Sequence, residues 1–368
     1  MASRKRATPV TEFPPSSGRT PASLGYAMPA EWERHAGTWL AWPHDPVTFK
    51  DLFQVECLFA NMAAVLSLGE RVSILVKDAD VEAAAHASLA LAGAHEAKSP
   101  QARTGVRLVR MPTADSWIRD YGPTYVVRRT GRGPRRAYVR WRFNAWGEKY
   151  ATLLKDDGIP DRLELGLPRF APGIVMEGGS IEVNGAGTVL TTEQCLLGRN
   201  RNPSLNRAEI EGYLRGYLGV RQVLWLGDGI VGDDTDGHVD DLSRFVSERT
   251  IVTAYEDDPK DENFALLHDN WRRLKAMADP EGRPFEIVKL PMPGRLMSGK
   301  RRLPASYANF YVGNQVVLAP IYGPKARDDR AIAVLRRAFP DRVAVPLDCR
   351  AIVYGYGSIH CVTQQEPA

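Results

Sequence analysis

The sequence is poor in cysteine. Its 368 residues include only Cys57, Cys195, Cys349 and Cys361, with no C-x-x-C spacing between any two of them. A disulfide framework or a clustered zinc site is thereby disfavoured, and a reduced, cytoplasmic protein is the better expectation. No apolar run approaches the length of a membrane span. The N-terminal MASRKRATPVTEFPPSSGRT lacks the apolar stretch of a secretory signal, and residues 1–24 read as a disordered tail. No G-x-G-x-x-G or Walker-type stretch follows a strand, so a nucleotide fold has little support. Neither sign of charge dominates, the formal net charge being +4. The one strongly basic run, RRTGRGPRR (Arg128 to Arg136), lies between the β-like stretches PTYVV and AYVRWRF. It reads as a solvated hairpin loop rather than a nucleic-acid face, which would need a broader basic surface with aromatic platforms.

What is present is a recurring order. An amphipathic helix leads into a β-branched strand, then an irregular polar loop. A helix around Leu52–Leu68 precedes RVSILV, and one over Asp80–Ala92 precedes GVRLVRMP. RAEIEGYLRGYLG precedes RQVLWLG, ENFALLHDNWRRLKAMA precedes FEIVKLPMP, and DDRAIAVLRRAFP precedes RVAVPLD. About five such units suggest a radially repeated α/β architecture. If the units are equivalent, Asp120, His238 and Cys361, each a little beyond its strand, project from one end of the fold into a shared cleft.

Four stretches carry the chemistry: WIRDYGP, MEGGSIEVNG, DDTDGHVDD and GSIHC. Asp120 alone is a plausible turn cap before Pro123. Glu177 before Gly178 and Gly179 is an ordinary turn residue or a carboxylate buried at a strand end, with the glycines admitting a close neighbour. On an extended strand Asp236, His238 and Asp240 would share a face, which allows a solvated turn, a metal site or a catalytic base. His35, His44 and His360 offer no clear further ligand, and His360 would point away from Cys361 in an extended chain. A lone cysteine is more often buried than reactive. Jointly the set has a sharper meaning. Carboxylates around a thiol oppose its ionisation, unless the substrate brings a positive charge. A guanidinium is planar, permanently cationic and recognised by paired carboxylates. Thiol, histidine and acids together point to nucleophilic attack on a guanidinium carbon.

These stretches, with MPAEWERHAGTWLAWP, EGGSIEVNGAGTVLTTEQCLL, NRNP and LPASYANFY, resemble the agmatine deiminases. That group sits with the bacterial peptidyl-arginine deiminases in the wider set of guanidino-group-modifying enzymes. The resemblance covers nearly everything after the tail. It implies an α/β fold, a five-bladed propeller of ββαβ-type units (the pentein fold), as one catalytic domain over residues 25–368. It further implies a cysteine hydrolase without metal or organic cofactor. Cys361, His238, Glu177, Asp240 and Asp120 are then the catalytic set, with Asp120, Asp240 and Trp117 contacting substrate. The expected partner is a small guanidino compound such as agmatine, in a pathway of putrescine formation. Nucleic acid and membrane are not expected, and a homodimer is allowed. A peptidyl-arginine substrate and amidino transfer to an amine are the neighbouring alternatives, and a metallohydrolase built on D-G-H-V-D is the alternative of a different class. Two stretches depart from the family pattern. GYGSIHC stands where members commonly read GGGNIHC, and HDPVTFKD follows the WP pair where a Trp-containing segment is usual. Both bear on which guanidino compound is taken.

Overall fold

The computed structural model describes residues 12–13 and 18–368, apart from 100, 132 and 134. Five sheets share one pattern: an antiparallel pair of strands, then a parallel pair. In the first, Gln364–Pro367 runs antiparallel to His35–Ala41, which pairs in parallel with Arg71–Val76 across the helix Leu52–Leu66. The second joins Thr124–Arg128 to Arg136–Val139 as a hairpin, then Arg169–Phe170 in parallel. The third, fourth and fifth centre on Thr188–Thr192, Thr250–Tyr255 and Val316–Ile321. These strands pair in parallel with Gln222–Leu226, Glu286–Pro291 and Val343–Asp348. The helices Arg207–Leu218, Phe264–Ala276 and Lys325–Ala338 make the crossovers. The fold is the expected α/β pentein of five ββαβ-type units.

Each element has a local cause. Asp51 caps the first helix by accepting from the Gln54 amide at 3.2 Å, and Val55, Leu58, Phe59, Met62 and Leu66 form its buried face. Asn206 and Glu209 form a reciprocal capping box at the start of Arg207–Leu218, and Gly219 ends that helix at φ 66°. Arg71–Val76 lies between two parallel neighbours and is buried along nearly its whole length, which its apolar composition allows.

The sequence units and the structural units do not correspond one to one. The first two helix–strand pairs belong to a single sheet, because Ala79–Leu91 returns the chain to Gly105–Arg110 beside Arg71–Val76. The second unit has no long helix. Its crossover is a set of short turns over Ala145–Arg162, where Ala145, Trp146 and Glu148 take positive φ. Arg128–Arg136 is the expected hairpin connection, with residues 132 and 134 outside the described set. Arg129 pairs with Glu33, and Arg136 with Glu366 at 2.6 Å.

The tail boundary drawn at residue 24 also needs correcting. Ala22–Leu24 is a 3-10 turn, and Glu12–Phe13 pairs with Arg169–Phe170. Residues 1–11 and 14–17 lie outside the described residues. Among those described, no helix is long and apolar enough to cross a membrane.

The seven residues after Cys361 are not a loose end. They carry the last strand into the sheet that contains His35–Ala41, and Glu366 there accepts from Arg71 at 3.1 Å and Arg136 at 2.6 Å. The thiol is thus held between the fifth unit and a strand embedded in the first.

Candidate active site

Cys361 lies in the tight turn His360–Val362 and is 6% exposed. Its approach, Tyr354 to Ser358, packs edge-on against Trp117. A methyl group on Gly355 would meet Trp117 Cζ2 at 2.9 Å and Phe49 Cε1 at 2.8 Å. Tyr356 sits at φ 67°, a conformation that a glycine adopts without strain, which is physically why glycine suits this position.

The predicted acids and histidine converge on one point. Gly179 marks it: an added Cβ there would lie 2.6 Å from His238 Nδ1, 3.0 Å from Asp120 Oδ1 and 3.1 Å from Asp240 Oδ2. Asp120, on the short helix Ile118–Tyr121, accepts from Gly179 N at 2.9 Å and Trp146 Nε1 at 2.8 Å. Asp240 Oδ2 is 3.9 Å from Cys361 Sγ and receives His360 Nδ1 at 2.7 Å. Glu177 is wholly buried and receives Arg201 Nε at 2.6 Å. His238 lies between two carboxylates, with Nδ1 3.7 Å from Asp120 and Nε2 4.0 Å from Glu177. Asp240 Oδ1, Glu177 Oε2 and His238 Nε2 have no hydrogen-bond partner among the described residues. Three such atoms gathered at one point call for an explanation, and a ligand's polar groups would supply one.

Burial and neighbouring charge divide these groups. Burial, with Asp240 and Glu177 adding to it, raises the Asp120 carboxyl above the usual carboxylate range. Asp240 is as deeply buried, but His360 and then His238 and Arg244 outweigh burial and hold it below that range. Burial would keep His238 neutral, yet Asp120, Cys195 and Glu177 draw it well above an ordinary histidine. The Cys361 thiol is pushed well above its usual range by burial, then by Asp240, Asp241 and Asp120.

Two expectations about local geometry fail. D-G-H-V-D is a turn and not a strand, since Asp236 and Gly237 take φ of 65° and 85°. Asp236 does not contact His238 and instead accepts from Lys149 at 2.7 Å, Asn200 at 2.9 Å and Arg201 at 2.8 Å. The metal set imagined on that segment does not form. The nearest grouping of potential ligands is Glu177, Cys195 and His238, within 4.8 Å of one another. Glu177 in that grouping is already paired with Arg201 at 2.6 Å. His360, in turn, is not aimed away from the site. The turn swings it onto Asp240 and, through Nε2, onto Glu31 at 2.7 Å. His35 pairs elsewhere, with Glu70 at 3.2 Å.

Several residues of the site had no assigned role in the sequence. Trp146, Arg201 and Asn309 bind a predicted group directly, Glu31 through His360, and Arg244 through Glu31 and His360. Arg244 holds Glu31 at 2.9 Å and Glu182 at 2.8 Å. The stretches NRNP and LPASYANFY carry two of them, and only their match to a family pattern marked them.

A cavity of about 280 Å³ opens beside the thiol, and Trp117, Asp120, Trp146, Tyr356 and Cys361 are among its walls. Five α/β units with a thiol, acids and a histidine gathered at one end define a pentein-type hydrolase. The chain belongs to the Porphyromonas-type peptidyl-arginine deiminase family, whose model matches residues 27–367. An agmatine deiminase of Medicago truncatula is 38% identical over 95% of this chain and 98% of its own. One from Stutzerimonas stutzeri is 38% identical over 95% and 97%. The solved agmatine deiminase of Enterococcus faecalis superposes with a TM-score of 0.86 at 32% identity, covering 95% of this chain and 98% of that one.

Proposed function

We propose that this protein is an agmatine deiminase, converting agmatine and water to N-carbamoylputrescine and ammonia. The observation that carries the reading is the placing of Asp120 and Cys361 in one cavity wall, with Asp240 Oδ2 3.9 Å from the sulfur. Two carboxylates beside a nucleophile suit a planar cation whose carbon is to be attacked.

In this reading Asp120 and Asp240 hold the guanidinium, whose charge offsets the acids that oppose thiolate formation. The Cys361 sulfur adds to the guanidinium carbon, giving a tetrahedral species. His238, already drawn to its cationic form, passes a proton to one terminal nitrogen, and the C–N bond breaks to release ammonia. Glu177, fixed by Arg201, supports the histidine. Sulfur and carbon remain joined as an amidino-thiol intermediate. His238, now neutral, takes a proton from water as its oxygen adds to the same carbon. The C–S bond then breaks as the hydroxyl proton passes to solvent, returning the thiolate and leaving a ureido group. No step calls for a metal or organic cofactor.

The cavity favours a small substrate over a peptide. Val47 and Lys50 are exposed at its edge, where Lys50 donates to Ser298 at 2.9 Å. Arg301 packs 3.9 Å from the Tyr356 ring centre and pairs with Asp234 at 2.7 Å, narrowing the opening. Asp45 lines the cavity with the Val47 amide and the Thr48 hydroxyl as its side-chain partners among the described residues, a carboxylate suited to a distal ammonium. The four cysteines are unpaired, which fits a reducing, cytoplasmic setting. Residues 25–368 act as one catalytic domain in this reading.

Ammonia release and ureido product are measured with agmatine, free arginine and a blocked arginine peptide. Agmatine should give the highest kcat/KM, and Cys361→Ser should give none with any of them. A higher value for the peptide, or undetectable agmatine turnover, refutes the substrate assignment. Activity that needs added zinc or manganese and survives thiol alkylation refutes the chemistry.

A further inference from the structure

The thiol of Cys361 is surrounded by groups that oppose its ionisation. Asp240 Oδ2 lies 3.9 Å away, Asp241 and Asp120 add their fields, and the site is buried. The nearby imidazoles face other partners: His360 binds Asp240 and Glu31, and His238 sits between Asp120 and Glu177. One side chain stands out. Asn309 Nδ2 lies 3.1 Å from Cys361 Sγ, close for a nitrogen–sulfur contact.

The orientation of that amide follows from its other contacts. Asn309 faces the backbone N–H of His360 at 2.8 Å and that of Cys361 at 3.4 Å. Backbone N–H groups can only donate, so the atom they meet is the carboxamide oxygen. The NH2 group must then point the other way. There it meets Asp241 Oδ1 at 3.0 Å and the sulfur. One hydrogen serves each acceptor, and a flipped amide would set an oxygen against a carboxylate and, once the thiol ionises, against a thiolate; the protonated thiol can itself donate to Oδ1 at 3.5 Å. The carboxamide is fully buried and bonded at both ends, so little freedom is left to it.

We infer that Asn309 is a further catalytic residue, whose side-chain N–H donates to Cys361 Sγ and stabilises the thiolate before and after each covalent step. The inference rests on the reading of Cys361 as nucleophile. A donor to a developing anion, fixed in advance by its other bonds, acts without reorganising. It also explains how a thiol among carboxylates reaches its anionic form while the guanidinium arrives and again when the C–S bond breaks. Asn309 is the neutral counterpart of the histidine or helix terminus that lowers thiol pKa in other settings.

The test follows Cys361 in the absence of substrate. Wild type, Asn309→Ala and Asn309→Ser are treated with iodoacetamide across a pH series. Peptide mapping separates Cys361 from Cys57, Cys195 and Cys349. The midpoint of Cys361 alkylation should rise by about one pH unit or more in both variants, the shift expected for loss of one hydrogen bond to a charged group. The kcat for ammonia release from agmatine should fall at least about tenfold, with a smaller change in KM. A folded variant with an unmoved midpoint overturns the inference, even if its activity is low. Should neither variant fold, the 15N side-chain amide resonance of Asn309 in the wild type is followed instead. It should shift as Cys361 titrates or is alkylated and stay still in Cys361→Ser; no shift in the wild type overturns the inference. If wild type releases no ammonia from agmatine but the midpoint still moves, the substrate reading fails and the role of Asn309 stands.

Discussion

Asp120 and Asp240 are the same residue type, buried to a similar degree, and their carboxylates meet at one glycine, yet their surroundings are opposite. Asp120 is held by neutral donors, Trp146 Nε1 and Gly179 N, and faces His238 only at 3.7 Å. Asp240 rests at 2.7 Å on His360, itself tied to Glu31 and, beyond it, to Arg244. One acid is kept ionised by a built-in chain of charge. The other waits, with its ionised form disfavoured, for a cation. The difference teaches that the two carboxylates of a guanidinium clamp need not be equivalent. Asp240 is part of the protein's own ionic network, and in the proposed reading Asp120 is completed by the substrate.

Substitution at Asp240 should have the largest effect on that contrast. Asp240→Asn removes the partner of a buried His360 and should lower kcat/KM by roughly a hundredfold or more. It should also destabilise the fold by about 1–3 kcal/mol, because it removes a carboxylate from a buried hydrogen bond to His360, which keeps only Glu31. Denaturant titration at neutral pH measures the second effect. Asp120→Asn should cost activity to a lesser degree, roughly ten- to a hundredfold. Its melting temperature should hold or rise, since the native fold already disfavours the Asp120 charge. Equal loss of stability in both variants would erase the distinction.

The pH dependence carries the same contrast with opposite signs. The folded pKa of Asp240 is depressed, so its stabilising contribution is present above the unfolded value and fades as pH falls through the folded one. The folded pKa of Asp120 is raised, so the native state binds a proton there before the unfolded chain does, and that site favours the fold increasingly as pH falls through its raised value. Asp120→Asn should therefore remove a destabilising contribution at neutral pH that fades as pH falls, and Asp240→Asn should remove a stabilising one at neutral pH. Melting curves of both variants from neutral to mildly acid pH separate the two.

How much of this was legible beforehand depends on what each residue contacts. The five strands after the five helices were readable, because β-branched runs and capped, amphipathic helices are local signals. That two of those helices serve one sheet was not, since strand order is set by packing. The crossover at Ala145–Glu148 gave no signal, its positive φ values being paired with no periodicity. Cys361, His238, Glu177, Asp240 and Asp120 could be picked out because thiol, imidazole and carboxylate in Gly-rich loops are chemically conspicuous. The error at Asp236 came from assuming an extended backbone, which its φ of 65° rules out. Asn309, Glu31 and Arg201 could not be found from their own surroundings. Glu31 reaches His360 across 329 positions of sequence, and an asparagine or arginine in a polar loop looks like any other.

Two smaller changes sharpen the comparison. Trp146→Phe deletes one neutral donor to Asp120 and should raise that carboxyl further. The acid limb of kcat/KM should move to higher pH, with a loss of about tenfold or less at neutral pH. An equal shift in the limb of a variant touching only the Asp240 side would contradict it. Arg301→Ala removes an exposed pair with Asp234 and should change KM for agmatine by less than about fivefold, leaving kcat intact. A large fall in kcat would place the mouth of the cavity in the chemistry itself.

The central claim is covalent: the Cys361 sulfur bonds to the guanidinium carbon. Wild-type enzyme turning over agmatine is quenched in acid and mapped by peptide mass. The account predicts a substrate-derived amidino group on Cys361, absent without substrate and absent in Cys361→Ser. Full turnover with no adduct on any cysteine, or ammonia release by Cys361→Ser near the wild-type rate, would contradict it.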